Sequence, residues 1–416
     1  MKPIEFTPVG TIHISITGGD LVVRGQAGRS SARLLAAKTG NLDAAQIVDV
    51  QENATIIQVP GDVTLTVPGD ASVIITGAPG DVVLRKIRDA QLEGCSGDLV
   101  VSELAELRAV GALYGDVALR KTESAELQAV HRDLAVAHVG KLKIEHVHGD
   151  ASLTHVGDVN LVGVERDLTV THGEDLQVKD VAGDVALNSV TGNVAIHRIG
   201  GDLSVVSPGA TLTAPAVGGD VSLRGPLKLG GRYWINAGGD VAARISGDVR
   251  VFVRAEGEVK AGSEIQFEVD EDGVATGQLG RAVEDAAELS IDARGDVILN
   301  SPAEWQHHHS AAVDAELRQA MNEVQSELRQ AAATVKSEFQ QAGNDVAQEL
   351  EQSGIRDIVR DLLKSLKPEA PASSSPAASG LPPAADPDEL KLVLNMLERG
   401  AITVDEAERL IEALNQ

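Results

Sequence analysis

A Gly-Asp step followed by aliphatic residues at alternate positions returns through the middle of this chain at almost constant spacing, most clearly as GDVALNSV from Gly183 to Val190. Full periods begin at Gly61, Gly80, Gly97, Gly115, Arg132, Gly149, Arg166, Gly183, Gly201, Gly219 and Gly239, with successive starts 17 to 20 residues apart. Further starts, among them Gly140, Gly157, Glu174 and Gly192, divide each period into halves of 8 to 9 residues. One such unit cannot bury its own apolar face, so repetition at this scale demands that units stack and bury it jointly. The predicted fold is mainly β: a β-solenoid with about 17–18 residues per coil and two half-coils in each.

Within the phrase, Val185 and Leu187 are two apart and share one face of a strand, Ala186 and Asn188 point the other way, and Val190 closes the half-coil after a bend. Val185 is expected to stack on its equivalents Leu134, Ala151, Leu168 and Leu203, giving aliphatic ladders at about 4.8 Å per coil. The corner glycine is expected to supply positive φ, and the aspartate after it to accept hydrogen bonds from turn amides. Arg132, Arg166 and Glu174 stand where other corners have glycine, so positive φ is not required at every corner.

The flanks are expected to cover the open ends of this stack, because exposed ladder edges invite pairing with another chain. Residues 1–60 form an N-terminal β cap, 61–250 the solenoid and 251–300 a C-terminal β cap. Ser301-Pro302-Ala303-Glu304 then reads as a capping box with proline at the first helical position. Amphipathic helices follow over 301–366. Their first part repeats every 11 residues, aligning Val313, Val324, Val335 and Val346 with Leu317, Leu328, Phe339 and Leu350. Eleven residues occupy three helical turns, so one continuous apolar stripe results. That stripe over 313–350 has three destinations: the flank of the solenoid, a coiled coil between subunits, or a membrane surface. Membrane docking is disfavoured by the excess of Glu and Asp over Arg318, Arg329 and Lys336.

Residues 367–387, rich in Pro, Ala and Ser, read as a disordered linker. The last segment, 388–416, supplies two short amphipathic helices. Leu390, Val393, Leu394 and Leu397 form one apolar face, and Ile402, Leu410, Ile411 and Leu414 the other. Two helices this short bury too little to stand alone, so these eight residues are the predicted contacts with a copy of the chain or a protein partner.

The GDVxLxxV half-coils across about residues 10–300 resemble the bacterial putative-adhesin β-strand-repeat family, and LKLVLNMLERGAITVDEAERLIEAL from Leu390 to Leu414 resembles the SHOCT-like helical hairpin found beside such repeats. The first resemblance implies a repeat fold with no established enzymatic activity and roles in cell-envelope stress or surface function. The second implies oligomerisation.

Chemistry-bearing residues are sparse. His138, His155 and His172 are spaced by 17 and 17 and should stack on adjacent coils, which makes them weak metal candidates. Ligands one strand spacing apart do not converge on one ion, so a solvated ladder is expected. The corner column Asp81, Asp98, Asp116, Asp133, Asp150, Asp167 and Asp184 invites a calcium reading, but it lacks the paired glycines of calcium-binding nonapeptide repeats. His307, His308 and His309 diverge around a helix. No cofactor is expected, and no catalytic residue is identified.

Bulk properties narrow the remaining classes. A net charge of -26 disfavours nucleic acid, and 2% aromatic residues disfavour flat ligand platforms. The single Cys95 cannot form an internal disulfide. No apolar leader or spanning stretch is present, which predicts a cytoplasmic protein, with the cell envelope as the alternative place. The expected function is a non-catalytic scaffold that self-associates or recruits a partner through its C-terminal helices. A bactofilin-like filament former and a metal- or calcium-binding solenoid are the alternatives.

Overall fold

The computed structural model describes residues 3–36, 48–51, 53–270 and 273–301. All of them belong to the first of the chain's two units, Met1–Ala342. The helices, linker and terminal hairpin expected beyond Ser301 lie outside the described residues. Those described are mainly β and contain no helix; their strands join in one 29-stranded sheet.

The repeat dictates how that sheet is wound. Through the middle of the stack each strand after a Gly-Asp corner pairs in parallel with the strand one period on: Leu134, Ala151, Leu168, Val185 and Leu203 stand in direct register. We call these strands face one. The half-repeat strands pair likewise and form face two, as Leu176 to Val194 and Val194 to Leu212 show. Every period thus contributes one rung to each face.

The alternation set by strand geometry fills the interior between the faces. In one coil Val185, Leu187, Val190, Val194, Ile196 and Ile199 all point inward, none more than 3% exposed. Each inward Val, Leu or Ile contributes at most about 1.5–3 kcal/mol through burial. Strands of four residues, such as Val185–Asn188, are therefore held by the stack rather than by their own length.

Chain order and rung order differ at both ends. Strand Thr11–Ile16 lies between Ala54–Val59 and Ser72–Thr76, while Leu21–Gln26 lies between Val63–Pro68 and Val82–Arg85. At the far end Ala287–Ala293 enters between Arg232–Ala237 and Val249–Ala255, and Val297–Leu299 between Val241–Ser246 and Val259–Ala261. Parts of the segments read from sequence as covers, Thr11–Ile16, Leu21–Gln26, Ala287–Ala293 and Val297–Leu299, are thus second-from-outermost rungs. The covering is done by antiparallel strands: Ala32–Ala36 on Val63–Pro68, Val48–Val50 on Ala54–Val59, and Ala275–Leu279 on Val249–Ala255. These blunt the ladder edges.

The corners also differ from expectation. Apart from Gly19 and Gly61, the glycines of the Gly-Asp column have no positive φ. Left-handed backbone occurs instead at the bend from face one to face two, in Lys86, Glu103, Lys121, His138, His155, His172, Ser189, Ser207 and Asn300, with φ of 51 to 59°. The Gly-Asp glycines serve close approach. A Cβ on Gly183 would collide with Asp167 Oδ1 and the Arg166 carbonyl, and the same collision recurs at Gly97, Gly149, Gly201 and Gly219.

That approach lets each aspartate bond the next coil rather than its own turn. Asp167 Oδ1 accepts the Asp184 N–H at 2.8 Å, Asp184 Oδ1 that of Asp202 at 2.7 Å, and Asp202 Oδ1 that of Asp220 at 2.7 Å. The column follows rung order, not chain order: Asp62 accepts from Asp20, Asp20 from Asp81, Asp240 from Asp296, and Asp296 from Glu258. Where arginine replaces the glycine the bond persists, at 3.3 Å for Asp133 after Arg132 and 3.2 Å for Asp167 after Arg166, the latter equal to the 3.2 Å at Asp20 after Gly19.

Gly183→Ala should therefore cost about 1–3 kcal/mol of unfolding free energy, the usual penalty for an extra methyl in a filled site. Gly18→Ala, where a Cβ meets nothing within 4 Å, should change stability by less than about 0.5 kcal/mol. Chemical denaturation of both variants checks the difference.

Candidate interaction surface

The histidine column is a consequence of the left-handed bend. His138, His155 and His172 all have positive φ, a conformation that histidine tolerates better than most residues. Their rings project from the stack and lie face to face, with centroids 4.7 Å apart in both steps and interplanar angles of 23° and 11°. Stacked rings aim their nitrogens outward in parallel instead of toward a shared point. Among the described residues no group of three or more His, Cys, Asp and Glu side chains is placed to hold a metal ion.

Stacking raises the cost of charging the middle ring. Burial, then the neighbouring His138 and His172, push the His155 pKa below the ordinary histidine value. The unfolded chain takes up this proton near that ordinary value and the folded chain only at lower pH. The stabilising contribution is therefore present above the unfolded value and lost as pH falls through the folded one.

A second column escaped the sequence reading. Tyr114, His131 and His148 recur at 17 residues and stack with centroids 4.6 Å apart, and His148 Nδ1 lies 2.8 Å from Glu165 Oε1 on the next rung. The signal was legible as a fixed offset before Asp116, Asp133 and Asp150, in the same way that the left-handed column was legible as a polar position every 17 or 18 residues.

The aspartate corner offers no ready calcium cradle, because one carboxylate oxygen of each rung is already engaged by a backbone amide. Asp116 carries an upward-shifted pKa, caused first by burial and opposed by the Asp133 N–H, with Asp98 and Asp133 adding repulsion. Cys95 is buried beneath this corner, and burial pushes its thiol up to about 11. It is a poor nucleophile there.

Outward from face two the surface is charged and shallowly grooved. Arg108, Glu126 and Lys143 form a cross-rung chain, with Glu126 3.5 Å from Arg108 and 2.6 Å from Lys143. The hydrogen bond with Lys143 holds the Glu126 carboxyl below its usual range and raises the Lys143 ammonium. Two open grooves of about 400 and 580 Å³ run beside them, sharing Asn160 and Gln177. The smaller reaches Thr213 and Pro215. The next rung in register with Thr213 carries Trp234, 49% exposed. Such a surface can bind a protein by ion pairing and one aromatic anchor, and it presents no enclosed reaction chamber. The apolar residues assigned to the terminal hairpin, Leu390, Val393, Leu394, Leu397, Ile402, Leu410, Ile411 and Leu414, lie outside the described residues, as do His307, His308 and His309.

Comparison with known proteins bears on the end of the chain. Residues 388–416 match the SHOCT-like domain. The match spans the segment in which two amphipathic helices are expected. A search of curated proteins matched none. The crystal structure of a putative cell adhesion protein from Clostridium sporogenes aligns over 72% of this chain and 98% of its own, at 10% identity and a TM-score of 0.14. At that score the likeness carries no argument. No described helix is long and apolar enough to cross a membrane.

His155→Asn keeps a residue suited to left-handed backbone while removing the titrating ring. The variant should lose less stability than the parent between about pH 7 and pH 5. Denaturation midpoints at the two pH values check this, and equal losses would contradict the shift.

Proposed function

We propose that this chain is a non-catalytic β-solenoid scaffold that offers its lateral faces to a protein partner and gathers copies of itself through the SHOCT-like segment at 388–416. The match of that segment to the SHOCT-like domain carries the reading, because two amphipathic helices too short to stand alone suit association in a chain whose described part is a stack of rungs. The mixed-charge outer side of face two supports it, as a long surface of repeated ion pairs suits protein contact better than chemistry on a small molecule. Its setting is the cytoplasm, with a surface or cell-envelope role as the alternative that the adhesin-like repeats suggest.

A bactofilin-like filament would grow by joining open terminal rungs. The antiparallel strands laid on three of the four outermost rungs weigh against that route.

Light scattering separates the two. The full chain should have a mass that is a multiple of one protomer, and a chain ending at Pro368 should run as a single protomer. Leu394→Glu combined with Leu410→Glu should reproduce the shorter chain's behaviour. Assembly that persists in both would defeat the proposal.

A further inference from the structure

The two faces carry opposite outer surfaces, although both belong to a chain with 62 acidic residues. On face one the register joins Val22, Val83, Ala135, Ala186, Ala242 and Ile298 into one outward row, whose intervening rungs add only Val, Ala, Ser and Thr. No charged side chain interrupts it from Val22 to Ile298. The row beside it holds Arg24, Arg85, Arg120, Arg224 and Arg244, and no acidic residue.

Part of this outward surface is nevertheless buried, and Val22 and Ala186 in the same row are half-buried. Ile298 is 4% exposed, Ala242 2% and Ser222 4%, and Val83, Ala135, Ala137 and Thr171 are buried as well. The Nε atoms of Arg85 and Arg224 are also shielded from solvent. Every described strand is a rung or an edge cover of the one sheet, so none of them lies over this side. Something beyond the described residues must.

We infer that the cover is this chain's own segment 313–342, running as a helix along the outward side of face one. Its stripe of Val313, Leu317, Val324, Leu328, Val335 and Phe339 matches an uncharged row. Glu316, Glu327 and Glu338 each precede the stripe residues Leu317, Leu328 and Phe339 by one position and so flank the stripe. That placement suits the adjacent row of arginines. Small side chains on the sheet allow the close approach that a helix needs. Thirty helical residues span about 45 Å, the height of about nine rungs.

The exit of the chain favours attachment in cis. Asn300 occupies the left-handed bend at the edge of face one, where its side chain donates to the Ile245 carbonyl at 2.9 Å and accepts the Ile245 N–H at 2.8 Å. The last described residues, Asn300 and Ser301, therefore lie beside the row, near one end of it. The inferred helix can turn back along the stack without crossing face two, whose outer side carries acidic as well as basic groups.

Hydrogen exchange on the full chain tests this, read at two protein concentrations about a hundredfold apart. Amides of 313–342 should be protected equally at both. Ala135→Glu with Ala186→Glu should lower that protection by at least about tenfold, and Ala195→Glu on face two should leave it unchanged. Leu328→Glu guards against a misfolded stack, since it alters only the helix. It should raise the labelling rate of a thiol placed by Ser204→Cys by about tenfold, with the buried native Cys95 silent. The inference is overturned by unprotected amides in the parent, by protection that fades on dilution, or by protection and labelling indifferent to these substitutions.

Discussion

One carboxylate oxygen reaching one backbone amide on the next coil is the contact on which the stack depends. It recurs along a whole corner, from Asp62 through Asp20 and Asp81 to Asp240, Asp296 and the Glu258 amide. Backbone hydrogen bonds fix the spacing of the rungs and continue at the corner, as from the Gly201 N–H to the Gly183 carbonyl, but the aspartate amide between them would otherwise face water. The aspartate extends the ladder around the corner. This requires backbone to pass within van der Waals contact of the preceding side chain, which explains glycine there without any appeal to unusual φ. At the two arginine-bearing corners a Cβ is accommodated with the bond still formed, and Arg166 Nε comes within 3.4 Å of the preceding Asp150.

Much of this was legible in the sequence because stacking is local in its demands. Alternation in GDVALNSV separates Val185 and Leu187 from Ala186 and Asn188, and the period aligns each with its equivalents; the structure has those assignments. Rung order at the ends was not legible. The strands at Thr11–Ile16 and Val297–Leu299 carry the same pattern whether they lie over a neighbour or between two neighbours, and only pairing between distant segments decides. The left-handed column was legible as a recurring polar position but not in the sign of its φ, because residues such as His138 and Ser189 stand there, where glycine would have announced it. The histidines were correctly expected to stack, and the companion column of Tyr114, His131 and His148 was overlooked because tyrosine obscures the period. The terminal hairpin's apolar faces were read from spacing, and the SHOCT-like match covers that same segment.

The inserted strands change how such a stack would come apart. A coil at the free end of a ladder has one neighbour, and fraying begins there. Here the first and last rungs in chain order, Thr11–Ile16 and Val297–Leu299, are paired on two sides, and the outermost rungs belong to internal segments, three of the four with antiparallel covers. Opening an end must therefore disturb segments that are distant in sequence. The outer rows of the two sides differ in chemistry: face two is charged, while one row of face one carries no charged side chain from Val22 to Ile298.

Amide exchange along the aspartate corner tests the central claim most directly. The N–H groups of Asp98, Asp184, Asp202 and Asp220 lie at an exposed corner, so their protection reports the bond from the preceding carboxylate rather than depth. These amides should exchange at least about a hundredfold more slowly than unbonded amides of similar exposure, and Asp184→Ala should release the Asp202 amide in particular. Exchange at the rate of an open turn, or an Asp202 amide unmoved by that substitution, would contradict the account.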